Sequence, residues 1–192
     1  MGRPEVTSHA EIEQAAFTLF AARGFDETTL EAIASEVGVG RRTLFRYYRS
    51  KNDIPWGQFE HTLDGFRDLL AATPADVSLF DAIGRAVVGF NAFPEDASPS
   101  HADRMRLILQ TPTLRAHSVL RYAEWRQVIS DHAAVRLGLA PDDLAPQLIG
   151  QVSLALALTA YGQWLARPGT PLATLLEGAM AALSTYVAGP PG

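Results

Sequence analysis

The sequence predicts an all-α protein: three short helices over residues 1–51, then six helices over residues 52–192. Three observations predict it. Apolar residues recur at i, i+3, i+4 and i+7, and no stretch alternates with the period of a strand. Prolines and glycines punctuate the chain at helix-length intervals, with no internal repeat. Residues 28–51 also read as a short amphipathic helix, a glycine-bearing turn and a second short helix with a cationic, aromatic outer face.

Each helix has its own signals. The first opens at Ser8, where Ser8-x-x-Glu11 makes a capping box. It carries Ile12, Ala15, Ala16, Leu19 and Phe20 on one side and ends at Gly24. The second opens at Thr28, Thr28-x-x-Glu31 being another capping-box pattern. Leu30, Ile33, Ala34 and Val37 are its stripe, and Gly38, able to turn left-handed, stops it. Val39 fills the turn. The third starts at Gly40 or Arg41, with Leu44 and Tyr48 facing inward. A fourth is expected from Asn52 to Ala72, with Pro55 tolerated in its first turn and Pro74 beyond its end. A fifth covers 77–90, and Asn91–Ser100, holding Pro94 and Pro99, is a loop. The sixth spans 101–110. The seventh runs from Pro112, capped by Thr111, to Gly138. Pro141 opens the eighth, which lasts to Arg167, and the ninth covers 171–187 before a Gly-Pro-Pro-Gly tail expected to be disordered.

The second and third helices have the layout of a helix-turn-helix DNA reader. From Arg41 to Lys51 there are five cations (Arg41, Arg42, Arg46, Arg49, Lys51), two tyrosines (Tyr47, Tyr48) and no acid. Arg42 and Arg46 can reach guanine edges in the major groove, and Thr43 suits a thymine methyl or a phosphate. Tyr47 and Lys51 are placed to hold phosphates and fix register. Arg41 and the Thr28–Thr29 pair complete the expected contacts. Arg3, in an amino-terminal Gly-Arg-Pro arm, is positioned for an adjacent minor groove.

Net charge is −5, which taken alone argues against nucleic acid. The distribution answers that. Residues 1–51 carry seven cations and seven acids, the cations gathered on the third helix, whereas 52–192 carry nine and fourteen. Local potential governs phosphate contact. Zero cysteines exclude a disulfide frame and thiolate metal sites and are compatible with the cytoplasm. The start is polar and lacks the apolar run of a signal peptide. Leu148–Ala166 is long and apolar, but Gln151, Gln163 and two glycines interrupt it. It reads as a deeply buried helix, so no membrane partner is expected.

The last two helices carry more apolar surface than a small domain can cover. Leu148, Val152, Leu156 and Trp164 on the eighth, with Leu172, Leu176 and Met180 on the ninth, are the expected dimer interface. A two-fold homodimer would set two readers on one palindromic double-stranded operator. The middle helices pair arginines with apolar residues: Arg104, Met105 and Leu109 on the sixth, and His117, Arg121 and Trp125 sharing a face of the seventh. Phe59, Leu63 and Phe66 line a face of the fourth. A pocket of these residues suits a small apolar or amphipathic effector with an anionic head.

Residues 21–34 (Ala-Ala-Arg-Gly-Phe-Asp-Glu-Thr-Thr-Leu-Glu-Ala-Ile-Ala) and 38–54 (Gly-Val-Gly-Arg-Arg-Thr-Leu-Phe-Arg-Tyr-Tyr-Arg-Ser-Lys-Asn-Asp-Ile) resemble the TetR-type transcriptional regulators, a likeness strongest over 8–55. It implies a DNA-reading domain and a carboxyl-terminal effector-binding and dimerisation domain whose last helices form a four-helix bundle between subunits. Two positions depart from the pattern. Gly40 stands where the family often has a Ser or Thr cap, and Arg42 where many members have a small residue, so base preference does not carry over. Residues 2–11, 50–59, 105–112 and 115–126 resemble a narrower group, the TetR-type regulators associated with mycofactocin biosynthesis genes. That resemblance implies a repressor of a redox-cofactor operon released by a long-chain acyl-CoA. A repressor of another operon, for efflux or lipid metabolism, answering to a different apolar ligand, stays open.

No enzyme is expected. Five histidines are scattered without metal-ligand spacing, there is no cysteine nucleophile, no Gly-x-Ser-x-Gly elbow and no phosphate-binding glycine loop. Neither a metal nor a cofactor is called for. A helical acyl-binding enzyme or a helical adaptor for another protein is the competing class.

Overall fold

The computed structural model describes residues 7–94, 96–167 and 169–189. Arg3 and the end of the carboxyl-terminal tail lie outside them. The described residues contain no strand. Their α-helices are α1 (His9–Arg23), α2 (Leu30–Val37), α3 (Arg41–Leu44), α4 (Phe59–Ala71), α5 (Leu79–Phe90), α6 (His101–Gln110), α7 (Pro112–Leu137), α8 (Leu144–Ala166) and α9 (Leu172–Ala188), with a 3-10 helix at Lys51–Trp56. They gather into two compact units. The first holds the chain to Phe59 together with Phe93–Ser118, and the second holds Glu60–Ala92 together with Val119 onward. The reader's unit is thus larger than the expected 1–51.

In the first unit the expected stripes meet in one core. Ile12, Ala16, Leu19 and Phe20 of α1 pack with Ile33 and Ala34 of α2, Leu44 of α3, and Tyr48 and Ile54 beyond it. Leu114, from the first turn of α7, is fully buried in the same cluster. The Ser8 capping box forms: the Glu11 N–H donates to Ser8 Oγ at 3.2 Å and the Ser8 N–H to Glu11 Oε2 at 2.9 Å. Gly38 is left-handed at φ 76°, as its place after α2 requires.

The second expected box does not form. α2 begins one residue later, capped by Thr29, whose Oγ accepts the Ala32 N–H at 3.1 Å. Thr28 is 1% exposed, and its hydroxyl donates to the carbonyls of Gly24 (2.8 Å) and Leu19 (3.3 Å). It ties the end of α1 to the start of α2 instead.

The expected fourth helix is broken in two. The 3-10 helix ends at Gly57, whose φ of 58° and ψ of −141° suit only glycine, and α4 starts at Phe59. A Cβ on Gly57 would also lie 3.3 Å from both Arg104 Nη1 and Glu13 Oε1. Gly57→Ala is therefore expected to lower stability by about 1–2 kcal/mol, read as a shift of the thermal or urea midpoint.

The second unit packs α8 on α9 and α5 on α9. Phe66 of α4, Trp125 and Ile129 of α7 and Tyr161 of α8 are among its buried residues. α8 starts at Leu144 after an Asp143 cap, so Pro141 precedes the helix rather than opening it. Among the described residues α8 alone is long and apolar enough to cross a membrane, at mean hydropathy 1.3. Its buried stripe, Gly150, Ser153, Leu154, Ala157, Ala160 and Tyr161, faces the unit's interior. The remaining side is exposed and largely apolar or small.

Candidate nucleic-acid interface

α3 is a single turn, and the residues after it continue its face. Arg41, Arg42, Phe45, Arg46 and Arg49 are exposed and Thr43 is half-buried, while Leu44 and Tyr48 point into the core. Arg41 pairs with Glu31 of α2 at 2.7 Å and lies 5.3 Å above the Phe45 ring. Both partners of that pair are more than half exposed, so it contributes at most about 1 kcal/mol and leaves Arg41 free to turn toward a phosphate. Arg42 and Arg46 stand with no acidic partner among the described residues. The exposed guanidiniums make this surface a small cationic ridge. Phe45, 41% exposed, and Arg49 were not among the expected contacts. Their signal was the spacing of Arg42, Phe45 and Arg49, one helical face.

Three expected contacts have other roles. Thr28 is buried and cannot touch DNA. The Tyr47 hydroxyl donates to the Thr7 carbonyl at 2.6 Å, so it anchors the residue before α1. Lys51 commits its ammonium to three carbonyls, Phe25 at 2.7 Å, Thr28 at 2.9 Å and Asp26 at 3.2 Å, and sits 4.3 Å over the Phe25 ring. It clamps the α1–α2 turn rather than a phosphate. Lys51→Met should accordingly cost about 1–3 kcal/mol of stability, since two part-buried carbonyls, Phe25 and Thr28, lose a charged donor, while the exposed Asp26 carbonyl can turn to water. The salt dependence of DNA binding should not change in the fraction that stays folded.

Behind the ridge lies a part-buried polar cluster. The Tyr48 hydroxyl donates to Glu13 Oε1, and burial, then that bond, hold the phenol well above its ordinary range. Arg104 of α6 pairs with Glu13 Oε2 and donates to the Pro55 carbonyl at 2.7 Å. The Arg104 and Glu13 side chains are only 18% and 11% exposed. A second tie joins His117 of α7 to Asp53 at 2.9 Å, with the Ser50 hydroxyl donating to the other Asp53 oxygen at 2.8 Å.

These ties correct the expected effector contacts. Arg104 and His117 are spent holding the reader. Met105 and Phe59 are buried in the same unit, and Leu109 is half-buried. In the second unit Leu63 and Phe66 are buried, Trp125 stacks on Phe66 with ring centroids 5.3 Å apart, and Phe90 tilts against Phe66 at 4.8 Å. Arg121 bonds Glu124 at 3.1 Å and Glu60 at 3.4 Å.

The expected dimer residues divide by exposure. Leu148 is 56% exposed, and Val152, Leu156, Trp164 and Met180 are half-buried. Leu172 and Leu176 are buried inside the chain's own unit and are not available to a partner. Among the described residues no group of His, Asp or Glu is arranged to hold a metal ion.

Comparison with known proteins places this geometry. Residues 12–54 match the tetR family of bacterial regulatory proteins, and residues 77–188 match the MftR C-terminal domain. The chain is 42% identical over 179 residues, 93% of its length and 90% of the relative's, to MftR of Mycobacterium tuberculosis, provisionally named a mycofactocin biosynthesis transcriptional regulator. It is 31% identical to the HTH-type transcriptional regulator TcmR of Streptomyces glaucescens over 83% of this chain and 74% of that one. Among solved structures it resembles FadR of Thermus thermophilus, a TetR-family transcriptional repressor in complex with lauroyl-CoA, with TM-score 0.60 and 24% identity over 92% of this chain and 93% of that one. A DNA-reading motif that folds as such, joined to an MftR-type carboxyl-terminal domain, leaves no room for the enzyme or adaptor readings: the chain belongs to the TetR family of transcriptional regulators.

Proposed function

We propose that this regulator is a cytoplasmic homodimeric repressor that sits on a palindromic operator of a mycofactocin-type operon and leaves it when a long-chain acyl-CoA binds. The observation that carries the operon assignment is the 42% identity to MftR across nearly the whole chain. The cationic ridge of Arg42, Arg46 and Arg49 supplies the DNA contact.

The open side of α8 and α9 supports a second subunit. Leu148, Val152, Ala155, Thr159, Gly162 and Ala166 recur in alternating steps of four and three, the spacing of a helix–helix seam. Thr174, Gly178, Ala181, Thr185 and Ala188 repeat that spacing on exposed positions of α9. Gly162 and Gly178 sit mid-helix with nothing of their own chain within 4 Å of where a Cβ would be. Mid-helix glycine costs roughly 1 kcal/mol relative to alanine, and close approach of a second subunit's backbone accounts for it.

For the effector, the buried Phe66 and Trp125, with half-buried Phe90 and buried Leu63, offer the apolar lining that an acyl chain needs. Arg121, one helical turn before Trp125 on α7, is the cation for an anionic head, which would compete with its carboxylate partners Glu124 and Glu60. The bound lauroyl-CoA of the Thermus thermophilus repressor is the reason for preferring an acyl thioester. Release of DNA by a hundredfold requires the ligand to favour the DNA-incompetent state by roughly 3 kcal/mol.

The test is a mobility shift on DNA upstream of the protein's own gene, with acyl-CoA esters of graded chain length and free CoA. Long-chain esters are expected to dissociate the complex and raise the melting temperature, and free CoA to do neither. Trp125 fluorescence should respond to the ester. An ester that saturates the protein and leaves the DNA complex intact would refute this effector.

A further inference from the structure

We propose that Arg104, on α6, is a positioning residue for operator reading. It holds Glu13 in place and, through Glu13, the Tyr48 hydroxyl, and so fixes the reading face that starts at α3. The proposal rests on that face being the DNA contact.

α3 cannot hold its own pose. It has one helical turn, and past it only a few turn bonds remain: Arg46 N–H to Thr43 carbonyl at 3.1 Å, and Tyr47 and Tyr48 N–H to the Leu44 carbonyl at 3.0 and 3.1 Å. A segment that short is unstable alone, because its few bonds do not offset the cost of nucleation. What fixes residues 45–49 must come from outside: Leu44 in the core, Tyr47 on the Thr7 carbonyl, and Tyr48 on Glu13.

The last tether depends on Arg104. Glu13 is nearly enclosed and uses one oxygen for Tyr48 and the other for the guanidinium. Arg104 also grips the Pro55 carbonyl, so one planar fork joins α1 to the segment after the reader. Gly57 leaves the room these groups occupy. Without Arg104, the Glu13 carboxylate is buried with no cation. It would swing toward water and take the Tyr48 anchor with it. Arg42 and Arg46 would keep their charge and lose their register.

The expected signature is a loss of discrimination rather than of attraction. Parent, R104K, R104M and E13Q/R104M are compared on a duplex that the parent selects from a randomised palindromic pool and on a scrambled duplex, with circular dichroism melting alongside. R104M should bind the selected duplex at least about tenfold more weakly and the scrambled duplex within about threefold of parent, because non-specific attraction comes from the exposed arginines. R104K should fall between. E13Q/R104M should regain most of the loss, since the carboxamide introduced by E13Q still offers Tyr48 an acceptor and no buried charge is stranded. If R104M does not fold, R104K and the double variant decide. The proposal is overturned if folded R104K and R104M discriminate like the parent, or if the folded double variant discriminates no better than R104M or R104K. Arg42→Ala serves as the control: if it leaves discrimination intact, the reading of the face fails, whatever Arg104 does.

Discussion

Glutamate placed together at Ala155 and Gly162 is expected to abolish tight operator binding while leaving the reader intact. Both positions are exposed in the single chain, and a side chain at Gly162 meets nothing of that chain. The substitution should not disturb the subunit's fold, and replacing a mid-helix glycine should slightly favour α8. In a two-fold seam, however, each glutamate would be buried near its symmetry mate at several kcal/mol per uncompensated ion. The subunits would separate, and each half of the palindrome would be bound on its own. Losing the second contact costs on the order of 10²- to 10⁴-fold in affinity. Light scattering gives the oligomeric state and a mobility shift the affinity. A dimer that binds like the parent would sink the α8–α9 interface. Leu176 is the wrong place for this experiment: it is 2% exposed, so a charge there would unfold the subunit and mimic the result.

The second large effect is expected at Arg42 and Arg46. Each exposed guanidinium that forks onto a guanine is worth about 1–3 kcal/mol of discrimination, so Arg42→Ala with Arg46→Ala should weaken the selected duplex by about a hundredfold or more and flatten sequence preference. Melting temperature should not move, since neither residue holds anything in the fold. Lys51→Met gives the opposite pattern, a lower melting temperature with unchanged preference. A double arginine variant that still discriminates between duplexes would show that the face lies elsewhere.

The local signals were legible. The α1 and α2 stripes, the Ser8 box, the Gly38 stop and the inward pair Leu44 and Tyr48 are set by spacing within one or two turns, and the structure keeps them. Thr28 and Thr29 are both able to cap, and the choice is made by two carbonyls that take the Thr28 hydroxyl, Gly24 just past α1 and Leu19 in its last turns, brought near by the turn between the helices. The same holds for the cations. Lys51, Arg104 and His117 look in sequence like surface charges free for a ligand. Their partners lie 23 to 91 residues away, and no pattern along the chain announces a carboxylate or carbonyl waiting there. Leu172 and Leu176 were misread for a related reason: apolar periodicity shows that a helix buries a face, not which neighbour covers it. The break after the 3-10 helix needed Gly57 to be seen as a turn rather than as one residue of a helix.

Leu114, Arg104, His117 and Thr113 bring residues 93–118 into the compact unit that reads DNA. The reader is therefore not a cassette. A chimera made by exchanging the first fifty or so residues between related regulators would part Glu13 from Arg104 and Asp53 from His117, and the graft would inherit a foreign partner for each. Crossovers that respect the packing must move 7–59 and 93–118 as a pair. Drift in the operator half of such proteins is then tied to drift in a stretch that the linear sequence assigns to the effector half.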